Sequence, residues 1–338
     1  MVNKKLVLAA RPKGLVKESD FSLVKEDVPE LMENECLIQT HYLSLAPVMK
    51  FYMLDGGGFE NPLNMGETIR GRGVGQVVKS RNSKYKEGDF VSANFGWQEY
   101  LISDGVSDKL MYKLDDHGLS PSTALGILGI TGYTSYFGLY DIGELKEGDI
   151  VLVSAAAGGV GNIIGGLAKL KGATAIGLTS KEEKKQVLLD KLFYDHVINY
   201  REENVDERLK EIAPDGIDVY FDNVGGEILD IALMNLRKHA RIVCCGRIST
   251  YGDEKLYEQN YRLKNWHMIL GRRAKMQGFF IYNYAARFSE AHEKLKGWIK
   301  SGDLKYHEDI QHGLEQMPTA LNRLFEGKNI GKQLVKIN

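Results

Sequence analysis

Val151-Leu152-Val153 runs into Ser154-Ala155-Ala156-Ala157-Gly158-Gly159-Val160-Gly161, and a helical segment, Asn162 to Lys171, leaves this turn. Together they form a place for a pyrophosphate. Small residues let the backbone approach the phosphates, and the N–H groups of the first helical turn point at the anion. The spacing Ala156-x-Gly158-x-x-Gly161 departs from the dinucleotide fingerprint by one methyl group. Such turns also serve strand-to-helix packing, so a second signal matters. It lies at the end of the next strand. NAD sites usually carry a carboxylate there, about 20 residues past the glycines, for the ribose 2′-hydroxyl. Here the strand ends Leu178-Thr179-Ser180-Lys181, and Lys184 follows one helical turn on. Hydroxyls and lysines without an acid suit a 2′-phosphate. One charge-assisted hydrogen bond contributes roughly 1.5–3 kcal/mol, which gives a preference of about tenfold or more. Residues 181–185 also fit the description of a solvated helix face.

These residues need a frame, and the chain supplies one. From about residue 121, strand-like and helix-like runs alternate. The strand-like runs are 150–154, Ala175–Leu178, Val197-Ile198, Asp218–Asp222, Arg241–Cys245 and Met276–Ile281. Helical stretches follow at Lys181–Lys191 and Ala285–Lys300. The alternation predicts a doubly wound parallel sheet with helices on both faces. Ser120-Pro121-Ser122 reads as a helix start. Residues 1 to about 125 read instead as short strands and turns, among them Cys36–Thr40, Gly73–Val78 and Phe90-Val91. A strand at Gln333–Ile337 is expected to return to this first part. The expected division is 1–125 with 302–338, and 126–301.

Bulk properties narrow the function. A chain of 338 residues with 43% hydrophobic and 26% charged residues is an ordinary globular protein of about two domains. A net charge of -1 gives no reason to expect nucleic acid or an anionic membrane surface. The sequence has no run of about 18 or more apolar residues to span a bilayer, and the apolar run after Met1-Val2-Asn3-Lys4-Lys5 is short for a secretion signal, so none is expected. Three cysteines make no disulfide framework, which fits a reducing compartment, so the cytoplasm is expected.

Several local signatures occur together: Leu125-Gly126-Ile127-Leu128-Gly129, the Ala155–Gly161 turn, Pro214-Asp215-Gly216, Phe221-Asp222-Asn223-Val224-Gly225-Gly226, Cys245-Gly246-Arg247-Ile248-Ser249-Thr250-Tyr251 and Gly327-Lys328-Asn329-Ile330-Gly331-Lys332. On these residues the chain resembles the zinc-independent branch of the medium-chain dehydrogenase/reductases. Within it, the chain is similar to the prostaglandin reductase, alkenal double-bond reductase and curcumin reductase group. The resemblance implies an α/β protein: a GroES-like β-barrel domain joined to a Rossmann domain, with NADPH in the cleft and a homodimer formed through the Rossmann domains. Residue by residue, it implies that Gly158, Gly159, Val160 and Gly161 hold the pyrophosphate, and Lys184 and Tyr200 the 2′-phosphate end. Thr131, Asn223, Cys245, Gly246, Arg247, Ile248, Ser249, Thr250, Tyr251, Phe279, Phe280, Ile281 and Asn329 would complete the coenzyme site.

Zinc-dependent relatives need thiolate and imidazole ligands in the barrel domain. Only Cys36 lies there, Met65-Gly66-Glu67-Thr68 lacks a histidine after the glycine, and no pair among the eight histidines has zinc-helix spacing. His307 and His312 read as surface residues of a loop. No metal is expected. Without a Lewis acid, reduction of an activated alkene is the reasonable chemistry: hydride adds to the β-carbon of an α,β-unsaturated aldehyde or ketone, and charge builds on the carbonyl oxygen. Tyr251 is the candidate catalytic residue, either orienting a ribose hydroxyl or donating directly, with water as the alternative donor.

The chain departs from the group where substrate would sit. Relatives commonly have Asp-Pro-Tyr-Met-Arg where this chain has Ala46-Pro47-Val48-Met49-Lys50, and Gly-Met-Pro-Gly or Gly-Met-Thr-Gly where it has Gly129-Ile130-Thr131-Gly132. Some carry a pocket tyrosine where Gly271 stands. A less polar pocket is expected, bordered by Ile130 and Tyr52. Quinone reduction, or coenzyme binding without turnover, are the alternative functions.

Overall fold

The computed structural model describes residues 1–55, 61–115, 118–251 and 261–338. The strands are β1 (Val2–Leu8), β2 (Phe21–Asp27), β3 (Cys36–Ser44), β4 (Arg72–Ser80), β5 (Phe90–Asn94), β6 (Tyr100–Ser103), β7 (Tyr112–Lys113), β8 (Ile150–Val153), β9 (Thr174–Thr179), β10 (His196–Asn199), β11 (Ile217–Asp222), β12 (Leu236–Cys244), β13 (Lys275–Gly278), β14 (Glu308–His312) and β15 (Lys332–Lys336). β8 to β13 form a six-stranded sheet in the order β10-β9-β8-β11-β12-β13, all neighbours parallel. The order reverses between β8 and β11, and a crevice opens at the carboxyl ends of strands at such a switch point.

Both faces of this sheet are covered, which explains its near-continuous apolar strands. Successive side chains of β8 enter different cores. Val151 and Val153 pack with Ile163, Ile164 and Leu167 of the helix Gly161–Leu170, while Leu152 packs with Ile176, Ile198 and Tyr220 under Leu209 and Leu233. Burying one such side chain contributes roughly 1.5–3 kcal/mol.

The second sheet has the order β14-β15-β3-β4-β5-β7, with β6 also on β3; β1 and β2 pair separately. β15 runs antiparallel to β3, with Leu334 opposite Ser44 and Val335 opposite Leu43. The later part of the chain therefore completes the sheet of the first part, as the sequence leads one to expect. Val335, Met317 and Leu321 sit in the same core as Ile38, Leu43, Phe95 and Trp97.

The structure differs from expectation in three places. β13 ends at Gly278 rather than Ile281, because the chain turns there and Ile281 starts a 3-10 turn to Arg287. The segment containing His307 and His312 is not a loop throughout. His312 ends β14, a half-buried edge strand whose polar sequence, Glu-Asp-Ile-Gln-His, conceals it. Residues 120–125 form only a 3-10 turn, with Ser120 accepting the Ser122 N–H. An additional helix, Met317–Phe325, has Pro318 in its first turn. No helix among the described residues is long and apolar enough to cross a membrane.

Candidate coenzyme and substrate cleft

A cavity of about 700 Å³ lies between the two sheets at the switch point. Its floor is the turn after β8. Ala155 adopts a left-handed conformation, φ 48°, unusual for a residue with a side chain. Its carbonyl accepts the Gly158 N–H at 2.8 Å, and the Gly158 carbonyl accepts the Asn162 N–H at 3.0 Å. A Cβ at Gly161 would stand 2.4 Å from the Ala155 carbonyl oxygen and 2.7 Å from the Ala156 Cα, so only glycine fits there. In this turn the N–H groups of Gly159, Val160 and Gly161 find no acceptor among the described residues. That is a cradle for an anion at a helix entrance.

Lys184 stands at the far end of the same cavity, on the helix Glu182–Lys191. It is 5% exposed and makes no ion pair among the described residues. Burial, with Lys181 adding to it, pushes its pKa down to about 8. A buried ammonium with no counter-ion is costly, and a bound anion would remove that cost. Ser180, Tyr200 and Arg201 line the same end. The Ser180 hydroxyl lies 3.5 Å from where a Cβ on Gly327 would stand, so the loop before β15 closes over it. These residues, with the anion cradle, fit a dinucleotide carrying an additional phosphate.

The wall under the middle of the cleft is a buried network. The Asp222 Oδ1 accepts from Ser154 Oγ (3.1 Å), the Tyr220 hydroxyl (2.8 Å) and the N–H groups of Val224 (3.0 Å) and Gly225 (2.9 Å). Burial pushes the Asp222 carboxyl pKa up against these bonds. Asn223 is held in turn: its N–H donates to Ser154 Oγ at 2.9 Å and its amide to the Ser154 carbonyl at 2.8 Å. Gly225 supplies the positive φ, 71°, that starts the next helix.

Tyr251 closes the other end. Its hydroxyl accepts the Arg247 N–H at 3.2 Å, so its own proton is not committed to that bond. Burial raises its pKa, which keeps it a proton donor. The surrounding wall is apolar: Leu45, Ala46, Pro47, Val48, Ile130 and Phe325.

Of the residues singled out in the sequence, Ile130, Thr131, Gly158 to Gly161, Lys184, Tyr200, Asn223, Cys245, Gly246, Ile248, Ser249, Tyr251 and Asn329 line this one cavity. Arg247 and Thr250 belong to the same turn without lining it; the Thr250 hydroxyl donates to the Arg247 carbonyl at 3.0 Å. Three others are not brought into the wall. Phe279 packs into the core, where a Cβ on Gly138 would stand 2.9 Å from its ring. Phe280 is 52% exposed, and Ile281 is buried in the core. Tyr52 also stands outside the lining, with the Arg70 guanidinium 5.9 Å from its ring centre. Gly271 is on the exposed helix His267–Arg272, with nothing within 4 Å of a Cβ built there.

The sequence reading passed over Lys332 as a site residue. Lys332 is buried in the cleft wall, and its Nζ donates to the Leu45 carbonyl at 2.7 Å. The only sequence signal was its place at the end of the Gly327–Lys332 signature. Among the described residues, no group of three or more His, Cys, Asp or Glu side chains is placed so that it could hold a metal ion; His117 lies outside those residues.

Known proteins show the same arrangement. Residues 4–111 match the family model described as the N-terminal domain of oxidoreductase, and 159–297 the one described as zinc-binding dehydrogenase. The chain is 38% identical over 337 residues to an NADPH-dependent curcumin reductase of Escherichia coli, covering 99% of this chain and 97% of the relative. It is 37% identical over 342 residues to an NADP(+)-dependent 2-alkenal reductase of Nicotiana tabacum, covering 99% and 98%. The crystal structure of CurA in complex with NADPH from Vibrio vulnificus superposes with a TM-score of 0.89 at 37% identity, covering 99% of each chain. With a barrel-like first domain and a Rossmann sheet built around this cleft, the chain belongs to the medium-chain dehydrogenase/reductases, in the group of the curcumin, alkenal and prostaglandin reductases.

Proposed function

We propose that this protein is an NADPH-dependent reductase of the carbon–carbon double bond in α,β-unsaturated aldehydes and ketones. One observation carries the reading: a single cavity runs from the buried, unpaired Lys184, past the anion cradle of Gly158–Gly161, to an apolar chamber at Ile130 and Tyr251. NADPH, when bound, supplies a hydride to the β-carbon. The chain's own residues do the rest. Lys184 and Tyr200 hold the 2′-phosphate end, and the 158–161 turn holds the pyrophosphate. Leu45 to Val48, Ile130 and Phe325 exclude water and orient the alkene, so that little reorganisation is left for the reacting step. Tyr251 carries a proton on its hydroxyl for the carbonyl oxygen as charge develops there. The kinship to enone and alkenal reductases supports the same reading.

In this reading residues 1–125 and 302–338 hold the substrate side and 126–301 the coenzyme side, supported by the β15–β3 pairing. Cys36, Cys244 and Cys245 are free thiols, which suits the cytoplasm. A homodimer through the Rossmann sheets is supported by β13, an edge strand flanked by exposed Leu270, Met276 and Phe280.

The test is coenzyme oxidation, followed by absorbance with a panel of alkenals, enones and quinones, with NADPH and NADH in parallel. Oxidation of NADPH by enones, with NADH a poor substitute, is the expected result. Tight NADPH binding with no enone turnover overturns the reading.

A further inference from the structure

A continuous line of hydrogen bonds runs from the phosphate cradle to the substrate wall. The Asn162 amide donates to the carbonyls of Gly158, at 2.8 Å, and Gly159, at 2.5 Å. The Asn162 Oδ1 accepts the His307 N–H at 2.8 Å. The His307 carbonyl accepts the Lys332 N–H at 2.9 Å, and the Lys332 ammonium donates to the Leu45 carbonyl at 2.7 Å. Two backbone bonds run alongside: Gly331 N–H to the Ala157 carbonyl, 2.7 Å, and Leu45 N–H to the Gln333 carbonyl, 3.2 Å. Leu45 begins the apolar segment Ala46-Pro47-Val48 that lines the chamber, and Phe51 follows it in the helix Met49–Met53.

Every polar link in this line is buried or half-buried, where a broken bond costs more than at the surface. Asn162 is 1% exposed and Lys332 7%. The Lys332 stem also forms part of the cradle: its Cδ is 3.4 Å from where a Cβ on Gly159 would stand. Behind it lies Glu308, half-buried, with one carboxyl oxygen accepting from Ser122 at 2.7 Å and the other, itself shielded from solvent, without a partner among the described residues. Glu308 is the charged group that faces Lys332 and favours its ammonium form. The side chain thus runs beside the phosphate cradle with its stem and bonds the substrate segment with its charge.

We propose that Asn162 and Lys332 are positioning residues that couple the two halves of the cleft, so that filling the phosphate cradle fixes the 45–48 segment for substrate. This coupling rests on the reading of the cleft as a coenzyme and enone site, and it names the residues through which occupancy of the cradle reaches the 45–48 segment. Such coupling is reciprocal and has a measurable size, commonly about fivefold or more in affinity.

The experiment uses full-length wild type, Lys332→Met, Lys332→Arg and Asn162→Ala. NADP+ is the probe, and backbone amide exchange in residues 44–51 is followed by mass spectrometry. In parallel, the dissociation constant of benzalacetone is measured with and without saturating NADP+. In wild type, NADP+ is expected to slow exchange in 44–51 and to tighten benzalacetone about fivefold or more. In K332M, compared at NADP+ concentrations raised until its own titration is saturated, both NADP+-dependent effects are lost, and K332R restores them. A purely structural lysine would change the basal exchange rate but leave the response to NADP+ intact. Full response in K332M overturns the proposal, as does a wild type whose 44–51 segment ignores NADP+. Where K332M fails to fold, N162A reads the same line from its other end, and an undiminished response there is equally fatal. If benzalacetone does not bind at all, the enone reading fails, whereas the exchange measurement still decides the coupling.

Discussion

The ring of Phe51 stands edge-on to that of Tyr251, with centroids 4.9 Å apart and planes inclined at 72°. Phe51 follows the substrate segment of the first sheet's domain, and Tyr251 closes the turn after β12. Their contact joins the two regions beside the cleft and helps hold the Tyr251 ring, whose hydroxyl accepts the Arg247 N–H. Replacing Tyr251 with Phe keeps this aromatic pair and removes only the hydroxyl. The expected outcome is a fall in kcat of about a hundredfold, the usual scale for a lost proton donor, with the NADPH dissociation constant nearly unchanged. Steady-state kinetics beside fluorescence titration would check it; unchanged kcat would remove Tyr251 from the chemistry.

Lys184 makes two predictions of opposite sign. Lys184→Ala should raise the KM for NADPH by about tenfold or more and leave that for NADH alone. Because its pKa is lowered to about 8, the free protein loses this charge as pH rises through that value, and NADPH affinity should fall there while NADH affinity stays flat. Without coenzyme the buried ammonium opposes folding. Between about 8 and the ordinary lysine value the unfolded chain holds more protons, so stability rises with pH in that window. Lys184→Met should therefore raise the Tm of the coenzyme-free protein near neutral pH while weakening NADPH, measured by thermal unfolding with and without NADP+.

Two glycines two positions apart should behave differently. A methyl at Gly161 meets backbone at 2.4 Å, so Gly161→Ala should lose at least 3 kcal/mol or so of stability, and coenzyme binding with it. A methyl at Gly159 meets the Lys332 and Thr131 side chains at 3.4 and 3.5 Å and the Lys332 Cα at 3.8 Å, all ordinary van der Waals distances. Gly159→Ala should fold with a normal Tm and lose NADPH affinity because the cradle is filled. Denaturant unfolding and coenzyme titration separate the two.

Cys245 lines the cleft, where an enal substrate is also an alkylating agent. Burial, with the Asp222 carboxylate and Cys244 adding to it, pushes its thiol up to about 12, so almost no thiolate exists at neutral pH. Incubation with an alkenal at pH 7 without NADPH should leave Cys245 unmodified by mass spectrometry. Adduct formation there within minutes would contradict the assigned environment.

The edge strand β13 offers a test of assembly. Met276 is 38% exposed on it, and a charge there should oppose sheet-to-sheet pairing. Met276→Asp should convert a dimer to a monomer in sedimentation velocity; a wild type that is already monomeric rules out the pairing.

Where a residue's meaning was local, the sequence made it readable. Val151-Leu152-Val153 is apolar throughout because both faces of β8 are covered, and the turn after it must accept small residues in order. Lys184 was legible from the absence of an acid at the end of β9. Phe279 and Phe280 are cleft residues only by the family resemblance, and the apolar run to Ile281 reads as one strand, yet the hydrogen-bonded strand stops at Gly278, Phe279 packs against the core and Phe280 is exposed. The helix Met317–Phe325 and the edge strand β14 have mixed compositions, and their place in the fold is set only when the neighbouring β15 pairs with β3, far away in sequence. Lys332 was least legible, because a lysine after a glycine has no distinguishing mark until the Leu45 carbonyl is placed beside it.

That pair has a consequence for how the molecule is made. Lys332 and Leu45 are separated by 287 positions, and the β15–β3 register depends on joining the same two regions. On the ribosome, all six parallel strands of the Rossmann sheet emerge before β15 is translated, so the nucleotide-binding half can assemble while the Tyr42–Ser44 end of β3 still lacks its β15 neighbour. Until synthesis reaches β15, the nascent chain carries an open strand edge beside a half-built core, the condition in which chaperones engage their clients.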